Sequence, residues 1–139
     1  MNEKHINLNC DHCDRPVHTG RGGVRLYDDE RDAAEAAQQA HSAAQEAAVA
    51  ILDPLDFGRT VDDLLRPPPP ARWRVEHTRC ADTTRRAYEV DAGRLTTVYD
   101  ALHWTVHLMQ KPWIGRTDWS EFVRRTCLGP SPSPAEDEQ

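Results

Sequence analysis

Two short words, Cys10-Asp-His-Cys13 and His77-Thr-Arg-Cys80, constrain this chain more than anything else in it. They hold three of its four cysteines, and the whole stretch from position 14 to position 76 lies between them. A gap of two residues lets both side chains of a pair turn toward one point. Two such pairs supply three thiolates and one imidazole, the donor set of a tetrahedral zinc ion with no position left for water. The distance along the chain does not forbid this. Closure entropy grows as the logarithm of loop length, so a loop three times the roughly twenty residues common in small zinc modules adds about 1 kcal/mol. Zinc contributes on the order of 10 to 16 kcal/mol to the folding of such sites.

Other uses of Cys-x-x-Cys fit less well. A redox motif sits after a strand at the start of a helix in a thioredoxin-like pattern, and no such strand precedes Cys10. Haem attachment requires a histidine directly after the second cysteine, where Asp14 stands. A zinc deaminase requires His-x-Glu with Pro-Cys-x-x-Cys, and neither is present. Surface thiols without metal are the remaining alternative.

A Cys-x-x-Cys knuckle, a hairpin, and an aromatic residue shortly before His-x-x-Cys resemble the treble-clef zinc fingers, in particular the first site of LIM domains and PARP-type fingers. Cys10, Cys13, Trp73, His77 and Cys80 carry the resemblance. LIM domains hold a second zinc site that this chain lacks. A treble-clef nuclease of the HNH kind is a further reading, for which no catalytic His-Asn set is visible. The words "WRVEHTRC", "RLTT" and "HWTVHLMQKPWIGRTDW", over residues 71 to 123, are also similar to small uncharacterised proteins of actinobacteria and their phages. That likeness implies no activity.

The rest of the chain suggests one α+β domain. Residues 7 to 27 read as the knuckle followed by a hairpin, with β-prone pieces at Pro16 to His18 and Val24 to Tyr27 around a turn at Gly20 to Gly23. Arg31 to Leu52 contains ten alanines in twenty-two residues, with no Gly or Pro. Alanine is the best helix former and Asp28, Asp29 and Glu30 suit a helix N-terminus, so a helix about 30 Å long is expected. Ala33, Ala37, Ala40, Ala44, Ala47 and Ile51 recur at steps of four and three, the seam of a closely packed helix pair. This helix either lies on its own domain or forms an arm that makes a homodimer or grips a partner. An alanine seam buries little area and grips weakly unless the contact is long.

Asp53-Pro54 breaks the helix, "RTVDDLL" suggests a short second one capped by Thr60, and Pro67 to Pro70 form a stiff spacer. A strand from Trp73 to Glu76 delivers His77, and "RRAYEV" is another. "TTVYDALHWTVHLMQK" reads as an amphipathic helix capped by Thr96 or Thr97, with Val98, Leu102, Thr105 and Met109 inward beside Ala101 and Leu108. A last helix starts at "TDWSEF", with Asp118 and Glu121 matching a capping box and Trp119, Phe122 and Val123 inward. The fold expected is therefore a small treble-clef-like zinc module with a long Ala-rich helical insertion and two C-terminal helices. The single domain spans 1–128, with the insertion at 31–66, the spacer at 67–70 and a disordered acidic tail at 129–139.

Charge narrows the partners. Net charge is −6, yet residues 71 to 128 carry ten Arg or Lys against seven Asp or Glu. A chain that coats nucleic acid without regard to sequence would be basic throughout. Arg72, Arg74, Arg79, Arg85 and Arg86 gather around the second ligand pair, where they either balance a site of net −1 or offer a phosphate-binding face. Trp113, on a loop, is a candidate contact residue beside them. His103 and His107 lie one helical turn apart, but Trp104 stands where a zincin has its glutamate, so a solvated surface is expected. Cys127 reads as a half-buried thiol and His12 as a group outside the ligand set.

No run of apolar residues spans a membrane and no secretory signal opens the sequence, so a cytoplasmic protein is expected. No catalytic constellation is visible. These features together suggest a non-enzymatic zinc-binding module that acts as a regulator or adaptor on a protein partner, in transcription or phage-host control. A DNA-binding regulator is the alternative.

Overall fold

A computed structural model describes residues 5–50 and 66–128. Three strands and three helices make up a small α+β fold: β1 (Gly22–Tyr27), α1 (Asp28–Ala50), β2 (Arg74–His77), β3 (Ala87–Asp91), α2 (Val98–Leu108) and α3 (Trp119–Cys127). The Asp53-Pro54 break, the short helix at "RTVDDLL", Ile51, Leu52 and the acidic tail lie outside the described residues.

The sheet is antiparallel, in the order β2-β1-β3. Val24 sits opposite Val75 on one side and Val90 on the other. The hairpin expected between residues 16–18 and 24–27 does not form. Pro16 has no N–H to offer a ladder, and it makes only an isolated bridge to Asn9. The knuckle itself is the turn of a tight loop, closed by Cys10 N–H to Arg15 O at 2.9 Å and Val17 N–H to Leu8 O at 2.8 Å. β1 is thereby free to be the central strand, and Val24 and Leu26 are wholly buried in it. Gly22 and Gly23 are required there. A Cβ on Gly22, whose φ is +151°, would lie 2.2 Å from Glu76 O. One on Gly23 would lie 2.0 Å from Val90 O. Only a residue without a side chain lets the neighbouring backbones approach this closely.

α1 begins at Asp28, directly after β1, with Asp28, Asp29 and Glu30 in its first turn. Arg31, Ala34, Glu35 and Gln38, spaced by three and four, are its half-buried face, whereas Ala33, Ala37, Ala40, Ala44 and Ala47 are exposed. Ion pairs fasten it: Glu30 to Arg74 at 2.5 Å, Asp29 to Arg85 at 2.7 Å and Glu35 to Arg116 at 3.1 Å.

α3 packs on Trp73, which has no exposed surface, and α2 joins the cluster through Trp119. The Trp73 ring lies 5.0 Å from Trp119 and 5.9 Å from Tyr88, both edge-on, and 6.3 Å from Trp113. Edge-on pairs of this kind align the positive rim of one ring with the negative face of the next. The segment before β2 is laced to the entry of α3 by Ala71 N–H to Arg116 O and Asp118 N–H to Ala71 O. Thr97 caps α2 in a full capping box with Asp100. Asp118 precedes α3 without capping it, because its carboxyl accepts the Trp73 N–H at 2.7 Å instead.

The inward stripe of α2 is also shifted from the expected one. Ala101 and Leu108 are buried, and Thr105 accepts the Trp119 indole N–H at 2.9 Å. That hydrogen bond turns Leu102 and Met109 outward, so Tyr99, Leu102, Val106 and Met109 form an apolar stripe between 56% and 70% exposed. Among the described residues no helix is long and apolar enough to cross a membrane.

Candidate metal centre

Cys10, Cys13, His77 and Cys80 converge, each offering one ligand atom, and these atoms all lie within 4.8 Å of one another. Thiolate ligands at about 2.3 Å from a tetrahedral zinc lie about 3.8 Å apart, so the cluster needs little contraction to close on an ion. Cys10 and His77 are buried, while Cys13 and Cys80 are half-buried. None of the four cysteines is in a disulfide, and Cys127, in α3, lies outside the cluster. His103 and His107 are exposed on α2 and join no metal-ligating group among the described residues.

The histidine is oriented for this purpose. Its Nε2 lies 2.9 Å from Pro16 O. A carbonyl can only accept, so Nε2 carries the proton. The lone pair is then on Nδ1. That atom lies 3.3 Å from Cys13 Sγ, inside the cluster. A carbonyl that fixes the free nitrogen of a ligating imidazole is a regular feature of metal sites.

The knuckle reaches its place by zipping along the outer edge of β2. Asp11 N–H donates to Val75 O at 2.8 Å, and the Asp11 carboxyl accepts the Val75 N–H at 2.9 Å. His12 Nε2 bonds the Glu76 carboxyl, and Cys13 meets His77. Residues 11, 12 and 13 thus face residues 75, 76 and 77 in step, and an edge strand that would otherwise expose its ladder is covered. Cys80 arrives in the turn after β2, held by its N–H to His77 O at 2.9 Å.

Electrostatics set the thiols apart. Burial raises the Cys10 pKa, but the backbone N–H groups of His77, Cys13 and His12 pull it down further, to about 6. Hydrogen bonds donated to a thiolate favour the charged form, and here they outweigh the loss of water. Cys80 is pushed up by burial and by its neighbours Cys10 and Cys13. Three crowded sulfurs in a metal-free chain share protons unequally, and a dication removes that conflict.

Behind the ligands lies a network the sequence did not announce. Glu76 is 1% exposed and accepts the Tyr27 hydroxyl at 2.5 Å while bonding His12. The Tyr27 oxygen in turn accepts the Asp82 N–H at 3.2 Å. Burial, then the bond to Glu76, raises the Tyr27 phenol above its ordinary value. The only trace in the sequence is an acid within "WRVEH", a strand otherwise read as core.

The arginines near the second ligand pair divide. Arg74 is paired with Glu30, and Arg85 grips Asp29 through two nitrogens and lies 3.9 Å over the Tyr27 ring. Arg72, Arg79 and Arg86 are exposed. Trp113 is half-buried against Trp73 and Tyr88, with the Arg31 guanidinium 5.1 Å above it.

No family model, curated protein or solved structure matches the chain, so the likenesses to treble clefs and to actinobacterial proteins rest on the sequence words that suggested them.

Proposed function

We propose that this chain is a non-enzymatic interaction module, stabilised by one zinc ion on Cys10, Cys13, His77 and Cys80, that binds a protein partner. The observation that carries the reading is the His77 ring. Its Nε2–H is spent on Pro16 O and its Nδ1 is aimed into a cluster of three thiols, which makes four donors and leaves no open coordination position. A closed site builds structure and performs no Lewis-acid chemistry on a substrate. The apolar stripe of Tyr99, Leu102, Val106 and Met109 supports the protein-partner part, since exposed patches of this kind on a small domain mark contact surfaces. Treble-clef kinship belongs to the reading through the two ligand pairs and Trp73. Cys80 lies in a turn that closes a strand.

The test is metal content and mass in solution on the same sample. One zinc per chain is expected, with loss of near-ultraviolet dichroism from the tryptophan cluster on chelation. A metal-free sample that is fully folded refutes the reading, and metal shared between two chains refutes the closed single-chain site.

A further inference from the structure

We infer that the chain binds phosphate groups, of a nucleotide or of a nucleic-acid backbone, in a cleft beside the metal centre. The cleft has a volume of about 690 Å³ and is lined by Arg15, His18, Arg21, Thr78 and Arg79, with His77 at its inner wall. Its guanidinium groups come from three places that only the fold brings together. Arg15 follows the knuckle, Arg21 ends the turn before β1, and Arg79 stands between the ligands His77 and Cys80. Arg21 O accepts the Thr78 N–H at 3.0 Å, which fixes the second of these beside the third.

The charges are uncompensated. Elsewhere Arg25, Arg31, Arg74, Arg85, Arg116, Arg124 and Arg125 each meet a carboxyl group. Arg15, Arg21 and Arg79 meet none among the described residues, and no acidic side chain lines the cleft. Asp91, which accepts the Gly20 N–H, is engaged by Gly93 N–H as well and stands outside the lining. Zinc with three thiolates carries a net charge of −1, so balancing the metal centre uses one of the three cations. Two remain, which matches the charge of a phosphate monoester or of two successive diesters. The overall charge of −6 does not prevent this. Charges farther off than about 8 Å are largely screened at physiological salt.

The shape says what is read. Clefts of this size take ligands of nucleotide dimensions. Apart from imidazole the lining holds no aromatic ring on which a base would stack, so contact is with phosphates and carries no sequence information. Each guanidinium can offer two parallel N–H groups to a phosphate.

The experiment uses full-length protein shown to carry one zinc per chain. Probes are inorganic pyrophosphate, an adenine nucleotide, and a labelled 20-nucleotide strand, single and duplexed. Calorimetry serves for the small probes and anisotropy for the strands. Saturable binding of at least one probe is expected. If it is a strand, two phosphate contacts predict a fall in affinity of about 7- to 12-fold between 50 and 200 mM salt. The variant Arg15→Gln/Arg21→Gln/Arg79→Gln should lose at least tenfold in affinity, and Arg72→Gln/Arg86→Gln should bind as the parent does. If the triple variant fails to hold zinc, Arg21→Gln alone, outside both ligand pairs, should still weaken binding at least threefold. Binding of the small probes alone assigns the phosphate to a nucleotide, and binding of strands that pyrophosphate displaces assigns it to nucleic acid. No binding of any probe at 50 mM salt, or binding untouched by these variants, overturns the inference. Binding by a folded, zinc-free chain would sink the metal reading and leave the cleft standing.

Discussion

Replacing Glu76 by alanine probes how the knuckle is held to β2. The carboxyl is 1% exposed and takes the Tyr27 hydroxyl at 2.5 Å. In Glu76→Ala the buried Tyr27 O–H has no acceptor, a loss of about 1 to 3 kcal/mol. The space vacated beside it adds roughly 1 kcal/mol. The His12 side chain is 47% exposed, so water replaces its bond. That loss is below about 1 kcal/mol. Stability of the zinc-loaded protein should fall by about 2 to 4 kcal/mol, read from denaturant unfolding with an unchanged slope.

Metal affinity should fall as well. The middle of three rungs between residues 11–13 and 75–77 is gone, and the next rung carries both ligands, Cys13 and His77. Loss of a supporting partner of this kind weakens metal binding by about tenfold or more. Competition against a chromophoric chelator measures it. Glu76→Gln, whose amide oxygen can still accept from Tyr27, should recover most of the stability. A Glu76→Ala protein that binds zinc within twofold of the parent, and unfolds within about 0.5 kcal/mol of it, would refute the argument.

Cys80→Ser should abolish tight zinc binding, and chelation of the parent should release the knuckle, visible as fast amide exchange at residues 10–13 and 75–77. Gly22→Ala places a methyl 2.2 Å from Glu76 O. It should destabilise the sheet by about 2 to 4 kcal/mol in thermal or denaturant unfolding. Burial raises Asp100, but hydrogen bonds from Thr96 and Thr97 outweigh it and hold the carboxyl below its ordinary value. A depressed carboxyl stabilises above its unfolded pKa of about 4 and loses that stabilisation as pH falls through the lower folded value. Asp100→Asn should therefore be less stable than the parent at pH 7, and the gap should narrow in acid denaturation curves as pH falls below the unfolded value of about 4.

Metal-ligand spacing was legible because it is local chemistry: two pairs three residues apart are visible without any knowledge of the fold. The cap of α2 was legible as Thr96 or Thr97 for the same reason, and Thr97 is the one that caps it. What the sequence hid is set by partners distant in the chain. Val24 to Tyr27 was readable as a strand, but its neighbours are residues 74–77 and 87–91, and the nearby piece that looked like its mate begins with Pro16. Asp118 and Glu121 carry the letters of a capping box, yet the Trp73 N–H, forty-five positions away, competes successfully for the Asp118 carboxyl. On α2 the alternatives differed by one position around the helix, and the choice was made by Thr105 meeting the Trp119 indole. The arginines around "HTRC" looked like one face. Two of them answer acids in the first turn of α1, a pairing that periodicity cannot foresee.

β2 is four residues long and two separate assemblies meet on it. At one end His77 belongs to the metal centre. At the other, Trp73 directly precedes Arg74 and is the hub of the tryptophan cluster that seats α2 and α3. The strand is at the sheet edge, and among the described residues its outer side is satisfied by the knuckle, through Asp11. An ion that closes the two ligand pairs therefore stabilises more than its own neighbourhood. It fixes the knuckle that covers an edge strand whose far end leads into the tryptophan cluster, and with it the seat of the C-terminal helices. Metal loss should be felt at Trp119, the first residue of α3, because the path from Cys13 to Trp73 runs through a single short strand. The ligand cluster and the outward stripe of α2 are thereby linked through one short strand.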